Sequence, residues 1–180
     1  MKDHILIAGC GYLGEQLARH ASNSGWKVTR VSKSGDDGSL TCDLSKSSDL
    51  KDLRSQISPP NSIMFTASSG RGGVESYRDV FLQGTRNLFA TFPDSRLFFT
   101  SSTSVYHQTD GSLVTEDSPT TPERETGEIL LEAESQVLSN NGTVARLAGI
   151  YGPGRSAILR SMLNGNAVIE EDGRRFLNQI

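Results

Sequence analysis

The feature that most constrains the fold is a glycine-rich run at residues 9–14, which directly follows a short apolar segment at residues 4–8. The apolar segment contains β-branched residues, which favour a strand. Apolar residues at helical spacing follow the glycines, and a second strand pattern lies at residues 26–31. A strand, a glycine loop, a helix and another strand in this order predict a βαβ unit with two parallel strands.

The alternation of strand and helix patterns continues along the chain. Further strand patterns lie at residues 39–42, 62–67, 97–100 and 143–147, and helical patterns lie at residues 47–57, 74–92 and 123–140. Strands that alternate with helices predict a doubly wound parallel α/β sheet, the Rossmann fold. We expect this domain to cover residues 1–155. Residues 156–180, with a short helix at 156–163 and a weak strand pattern at 167–169, are expected to begin a small second domain.

Composition excludes several classes of protein. The chain is 35% hydrophobic and 22% charged, which is enough apolar material for a core and argues against disorder. A net charge of −3 disfavours a broad basic surface for nucleic acid. The chain has no apolar run of transmembrane length and no signal-peptide pattern. Cys10, Cys42 and the histidines show neither a disulfide framework nor metal-ligand spacing. We therefore expect a cytoplasmic protein with reduced thiols and no metal.

The run at residues 9–14 fits the pattern G-x-G-x-x-G, and its three glycines have separate physical roles. Gly9 permits the tight turn, Gly11 lets the backbone approach a pyrophosphate, and Gly14 lets the helix pack close to the strand. The amides of Gly11, Tyr12 and Leu13 lie at the positive end of the helix, where a diphosphate is stabilised. The alternative interpretation is a plain turn between strand and helix.

The end of the second strand predicts which dinucleotide binds. An NAD site usually has an acid there for the ribose 2′-hydroxyl. This chain has no acid in that run and instead carries Arg30, Ser32 and Lys33. Because a cation and a hydroxyl can both donate hydrogen bonds to a 2′-phosphate, the pattern favours NADP over NAD. A solvated basic strand end is the alternative. Asp43, after the third strand, is expected either to accept a hydrogen bond from the adenine amino group or to cap the next helix.

Taken together, the chain resembles the extended or atypical branch of the short-chain dehydrogenase/reductase superfamily, the NAD(P)-dependent nucleotide-sugar epimerase/dehydratase family. The resemblance covers about residues 4–155. It rests on motifs in the family's order: the glycine loop; Asp43-Leu44 on the adenine side; Thr66-Ala67-Ser68, where the fourth strand meets the cofactor; the G-T-x-N-L motif at residues 84–88; S-S-x-x-V-Y at residues 101–106; and R-x-x-x-I-Y-G-P-G at residues 146–154. The resemblance implies that Leu44, Ala67, Ser68 and Ser101 also contact the cofactor.

The family's catalytic residues carry over only in part. Its chemistry uses a hydroxyl, a Tyr and a Lys, and the hydroxyl matches Ser102. The Y-x-x-x-K pair falls on Thr126 and Leu130, and no tyrosine elsewhere is followed by a lysine four residues later. Thr126 is therefore a weak catalytic candidate. The family's active-site Asn falls near Phe81, with Asp79 as a stand-in.

Two functional hypotheses follow from the resemblance. The chain is either an oxidoreductase, epimerase or dehydratase acting on a nucleotide sugar or a related hydroxyl or keto compound, or a non-catalytic NADP(H) sensor or scaffold. The family also implies a homodimer through helices 74–92 and 123–140. Residues 176–180 resemble the strand that leads into the family's substrate domain, so we expect a longer native protein. Arg155 is expected either to meet a substrate phosphate or to be solvated.

Overall fold

The computed structural model describes residues 3–70, 72–169, 171–174 and 178–180. Its six strands form one parallel sheet in the order β3-β2-β1-β4-β5-β6. The predicted doubly wound α/β fold is therefore confirmed. The strands are β1 (His4–Ala8), β2 (Lys27–Ser32), β3 (Leu40–Thr41), β4 (Ser62–Phe65), β5 (Arg96–Ser102) and β6 (Thr143–Leu147).

The helices alternate with the strands, as their apolar spacing predicts. They are α1 (Tyr12–Asn23), α2 (Ser47–Gln56), α3 (Val74–Tyr77), α4 (Gly84–Thr91), α5 (Glu125–Ser139) and α6 (Ala157–Leu163). A π-helical segment, Arg78–Gln83, joins α3 to α4. The single helix predicted over residues 74–92 is thus three consecutive segments, the middle one with hydrogen bonds between residues five apart rather than four.

The two faces of the sheet are covered unequally. All of β1 is buried. Its Leu6 and Ala8 contribute to a large cluster with apolar residues of α2, α4 and α5, whereas Ile5 and Ile7 pack against Ala18 of α1. The alternation of β1 side chains therefore supplies both cores, as expected for a strand between two helical layers. In the part of the chain that the structure describes, no helix is long and apolar enough to cross a membrane.

The segment after β6 differs from its prediction. Residues 166–169 form no strand, so the strand predicted at residues 167–169 is wrong, and Val168 and Ile169 are exposed. Of the strand expected at residues 176–180, Phe176 and Leu177 lie outside the described residues. Residues 178–180 run parallel to residues 149–151, with the Gly149 amide donating to the Asn178 carbonyl at 3.0 Å and the Ile180 amide donating to the Gly149 carbonyl at 3.0 Å.

Candidate nucleotide-binding cleft

A cleft of about 800 Å³ opens at the carboxyl ends of the strands, where parallel sheets place their ligand sites. The loops after β1, β2, β3, β4 and β6 contribute to its wall, together with the last residues of β5, so residues far apart in sequence meet there. Of the site residues predicted from sequence, the cleft is lined by Gly9, Gly11, Tyr12, Leu13, Ser32, Lys33, Asp43, Leu44, Ala67, Ser68, Ser101 and Ser102. Gly14, Arg30 and Thr126 do not line it.

Two of the three glycines of the loop pack as the sequence predicts. Gly9 has φ +102°, and a Cβ there would collide with the backbone of Ala67. A Cβ on Gly14 would collide with the Gly9 carbonyl, which also accepts a hydrogen bond from Thr66 Oγ1 at 2.7 Å. A Cβ on Gly11 would meet no atom within 4 Å, so its surface is open to a ligand. Two glycines of the loop, Gly9 and Gly14, therefore allow close packing, and the third, Gly11, leaves space for a ligand to approach the backbone.

The amides at the start of α1 are divided between the loop and the cleft. The Gly11 amide donates to the Gly9 carbonyl at 3.0 Å, so it closes the turn, unlike the exposed donor that the sequence predicts. The amides of Tyr12 and Leu13 belong to the first turn of a helix and have no acceptor within it. These two donors at the positive end of α1 are the ones suited to hold an anion.

The end of β2 has a hydroxyl and one cation in the cleft. Lys33 Nζ lies 3.0 Å from Asp43 Oδ2, with the Lys33 side chain 83% exposed and that of Asp43 13% exposed. Burial opposes ionisation of Asp43, but hydrogen bonds from Ser45 and the Lys33 ammonium outweigh it and hold the pKa of Asp43 below its usual value. Ser32 Oγ accepts a hydrogen bond from the Gly35 amide at 2.9 Å.

Arg30, on β2, lies outside the cleft lining. Its guanidinium contacts the Glu15 carboxylate at 3.2 Å, and the Cys10 thiol donates to the same carboxylate at 3.0 Å. Burial and the Glu15 hydrogen bond raise the pKa of Cys10 to about 11. The sequence did not reveal the Arg30–Glu15 pair, because their contact depends on how α1 crosses β2. The Glu15 contact engages one terminal nitrogen, Nη1, of the Arg30 guanidinium.

The two serines at the end of β5 are oriented differently. Ser101 Oγ donates to Glu134 Oε1 at 2.6 Å, so its hydroxyl is committed to α5. Ser102 Oγ accepts a hydrogen bond from the Ser104 amide at 3.1 Å. That bond uses an acceptor lone pair and leaves the hydroxyl proton of Ser102 available to a ligand.

The positions of the family's Tyr and Lys lie at the start of α5. Leu130 lines the cleft and is 3% exposed, while Thr126 does not line it. Among the described residues, the cations that line the cleft are Lys33 at one end and Arg155 after β6. The cleft also holds Asp79, on the π-helical segment. The structure thus places a leucine where the resemblance leads us to expect an ammonium group.

A buried polar network next to Ser101 was missed by the sequence analysis. Arg146 Nη2 contacts Glu134 Oε2 at 2.7 Å, and Arg146 Nη1 donates to the Tyr106 hydroxyl at 2.8 Å. Glu134 is 2% exposed. The hydrogen bonds to Glu134 outweigh burial and raise the pKa of Arg146. Arg146 and Tyr106 belong to two of the quoted motifs, but Glu134 looks like any helical glutamate in sequence. Among the described residues, no cluster of His, Cys, Asp or Glu is placed to hold a metal.

Comparison with known proteins places these features in context. Residues 5–171 match the family model described as the NAD dependent epimerase/dehydratase family. Protein YeeZ of Escherichia coli K12 is 33% identical over 175 residues, an alignment that covers 84% of this chain and 60% of YeeZ. The chain thus spans less than two thirds of the length of that relative.

Solved structures have the same architecture. A Methylobacillus flagellatus protein, provisionally described as an NAD-dependent epimerase/dehydratase, is 28% identical with a TM-score of 0.78; the match covers 100% of this chain and 66% of that protein. The Bordetella bronchiseptica enzyme WbmG, solved in complex with NAD, is 18% identical with a TM-score of 0.78, over 94% of this chain and 62% of WbmG.

Proposed function

The chain belongs to the NAD dependent epimerase/dehydratase family, and from that membership we propose that its cleft binds NADP(H) together with a nucleotide-linked sugar or a related hydroxyl or keto compound. The observation that carries the proposal is a single cleft. It joins the amides at the start of α1, the end of β2 and Ser102 of β5. A dinucleotide that spans these three regions would have its pyrophosphate at α1 and its nicotinamide beside Ser102.

The preference for the phosphorylated dinucleotide rests on this chain's own residues. The family description and the WbmG complex name NAD. At the end of β2, however, the cleft has Ser32 and Lys33 and no carboxylate on that strand. Asp43 already pairs with Lys33, which reduces the net positive charge offered to a 2′-phosphate. A cation–phosphate hydrogen bond contributes roughly 1.5–3 kcal/mol, and we expect the lower end of that range, or about tenfold in affinity.

Without the Tyr/Lys pair, we expect the reaction at this cleft to be slow or absent. Ser102 can orient a substrate oxygen, but Leu130 offers no charge to stabilise a phenolate. For this reason a second function, an NADP(H) sensor or scaffold without turnover, stands beside the first. NADPH fluorescence decay with a panel of nucleotide sugars and ketones distinguishes them, because only the enzyme consumes the cofactor.

Titration calorimetry tests the cofactor proposal. The unmodified protein is expected to bind NADP about tenfold more tightly than NAD. Lys33→Glu should narrow that difference, because it places a carboxylate where the 2′-phosphate lies. Lys51→Glu, the same charge change at an exposed position of α2, is the matched control and should leave the difference unchanged. Equal affinities of the unmodified protein for NADP and NAD would contradict the specificity assignment.

A further inference from the structure

We propose that Arg155 is an anion-binding residue of the dinucleotide site, contacting the cofactor pyrophosphate from the side opposite the α1 amides. The inference rests on the proposed function, because it assigns a further residue to the same cleft. Arg155 lies eight positions after the end of β6, in a turn that lines the cleft together with Gly149 and Ile150.

The backbone around Arg155 is held in a tight turn. The Gly152 amide donates to the Arg155 carbonyl at 2.9 Å, and the Arg155 amide donates to the Gly152 carbonyl at 2.8 Å. Arg155 Nε donates to the Ile150 carbonyl at 3.2 Å. That bond fixes the base of the guanidinium and leaves its two terminal nitrogens for another acceptor.

The guanidinium is placed over the glycine loop. The Arg155 Cζ atom lies 5.5 Å from the centre of the Tyr12 ring. Gly152 packs so closely on Tyr12 that a Cβ there would collide with the Tyr12 hydroxyl. Tyr12 is the first residue of α1. The stack therefore fixes Arg155 beside the helix end whose free amides favour an anion.

Arg155 forms no ion pair with a carboxylate of the described residues. Of the arginines in the described ranges, Arg30, Arg78, Arg86 and Arg146 each lie within 4.0 Å of a carboxylate, whereas no described carboxylate lies that close to Arg155. An arginine that lines a cleft, is stacked in place and lacks an acid partner suits an external anion. Its forked donors match phosphate oxygens.

The position favours the cofactor pyrophosphate over a substrate phosphate. The ring that orients Arg155 belongs to the loop whose amides would hold the dinucleotide, and Ser102, beside which the reacting sugar would lie, belongs to the end of a different strand. The same diphosphate would then be held by groups from two distant parts of the chain: the amides of α1 and the guanidinium in the turn after β6.

Calorimetry on Arg155→Gln tests the assignment with NADP, adenosine 2′-monophosphate and UDP-glucose as probes. We expect the dissociation constant of NADP to rise at least tenfold and that of adenosine 2′-monophosphate, which lacks the pyrophosphate, to stay unchanged. Arg155→Lys should recover part of the loss, because it keeps the charge without the fork. The matched control Arg19→Gln, at an exposed position of α1 outside the cleft lining, should bind NADP like the unmodified protein.

The outcomes separate this inference from the proposed function. If the unmodified protein binds NADP and Arg155→Gln binds it equally well, the inference is wrong and the cofactor proposal stands. If Arg155→Gln binds UDP-glucose more weakly but NADP as tightly as the unmodified protein, the residue belongs to the substrate site and the inference is also wrong. An unmodified protein that binds neither NADP nor NAD overturns both.

Discussion

At the scale of the residue, the glycines of the loop have opposite requirements. At Gly9 the packing tolerates no side chain, because the residue has a positive φ and lies against the Ala67 backbone. Gly11 has extended backbone angles, φ −95° and ψ −155°, and faces open space. The same change, glycine to alanine, therefore has different consequences two residues apart.

The pair Gly9→Ala and Gly11→Ala tests this division. We expect Gly9→Ala to lower the free energy of unfolding by about 2 kcal/mol or more, from strain and collision together. Gly11→Ala should unfold like the unmodified protein, yet bind NADP much more weakly, because its methyl group occupies the approach of the pyrophosphate. Urea denaturation and calorimetry measure the two effects. A stable Gly9→Ala, or a Gly11→Ala with full affinity, would contradict the loop assignment.

The missing proton-transfer pair also belongs to the residue scale. A threonine hydroxyl has a far higher pKa than a phenol beside an ammonium group, so Thr126 cannot replace the family's Tyr. General acid–base help contributes typically 10²–10⁴-fold to rate, and activity through Ser102 alone should be correspondingly slow.

Restoring the pair is the corresponding experiment. If the unmodified protein turns over NADPH, the double variant Thr126→Tyr with Leu130→Lys should do so faster. The double substitution should not lower the rate of NADPH turnover. Leu130→Lys also buries an ammonium group where leucine is 3% exposed, so folding of the double variant is checked by circular dichroism. Brisk turnover by the unmodified protein that Ser102→Ala leaves unchanged would contradict both the site and this interpretation.

At the scale of the element, α5 is tied to the end of the sheet through charge. Glu134 on α5 accepts hydrogen bonds from Ser101 of β5 and Arg146 of β6. Because the carboxylate is almost fully buried, its charge must be matched by partners within the protein. The network thereby fixes the strand ends that form one wall of the cleft.

Glu134→Gln should therefore be strongly destabilising. It leaves the half-buried Arg146 without its acid, and breaking a buried pair on one side costs about 3–5 kcal/mol. Glu132→Gln is the control, since its ion pair with Arg86 is more than half exposed and should contribute less than about 1 kcal/mol. Equal unfolding midpoints of the two variants in urea would show that the network does not stabilise the fold.

Elements and motifs differ in how far the sequence predicts them. The strands and the glycine loop depend on local periodicity and on backbone angles that glycine alone adopts easily, so they were predictable. The contacts of Arg30 with Glu15 and of Ser101 with Glu134 depend on how separate elements cross, and no local pattern encodes them. The π-helical segment was missed for a third reason, because it is a single short insertion between helical segments and the sequence pattern does not distinguish one wide turn from an α-helical one.

At the scale of the whole molecule, the chain is a parallel α/β sheet with one incompletely covered region. Beyond β6, Leu163, Val168 and Ile169 are 78%, 82% and 81% exposed. This is the region where the family resemblance leads us to expect a substrate domain, and the chain spans 60% of the length of YeeZ. The described residues build the cleft that we propose for the cofactor, whereas substrate identity and a homodimer through α4 and α5 stay predictions.

The most direct test of the account is a crystal structure of this protein with NADP bound. We predict the pyrophosphate at the Tyr12 and Leu13 amides, the 2′-phosphate beside Ser32 and Lys33, and the nicotinamide next to Ser102. A dinucleotide bound outside this cleft, or bound in it with the adenosine end at Ser102, would contradict the account.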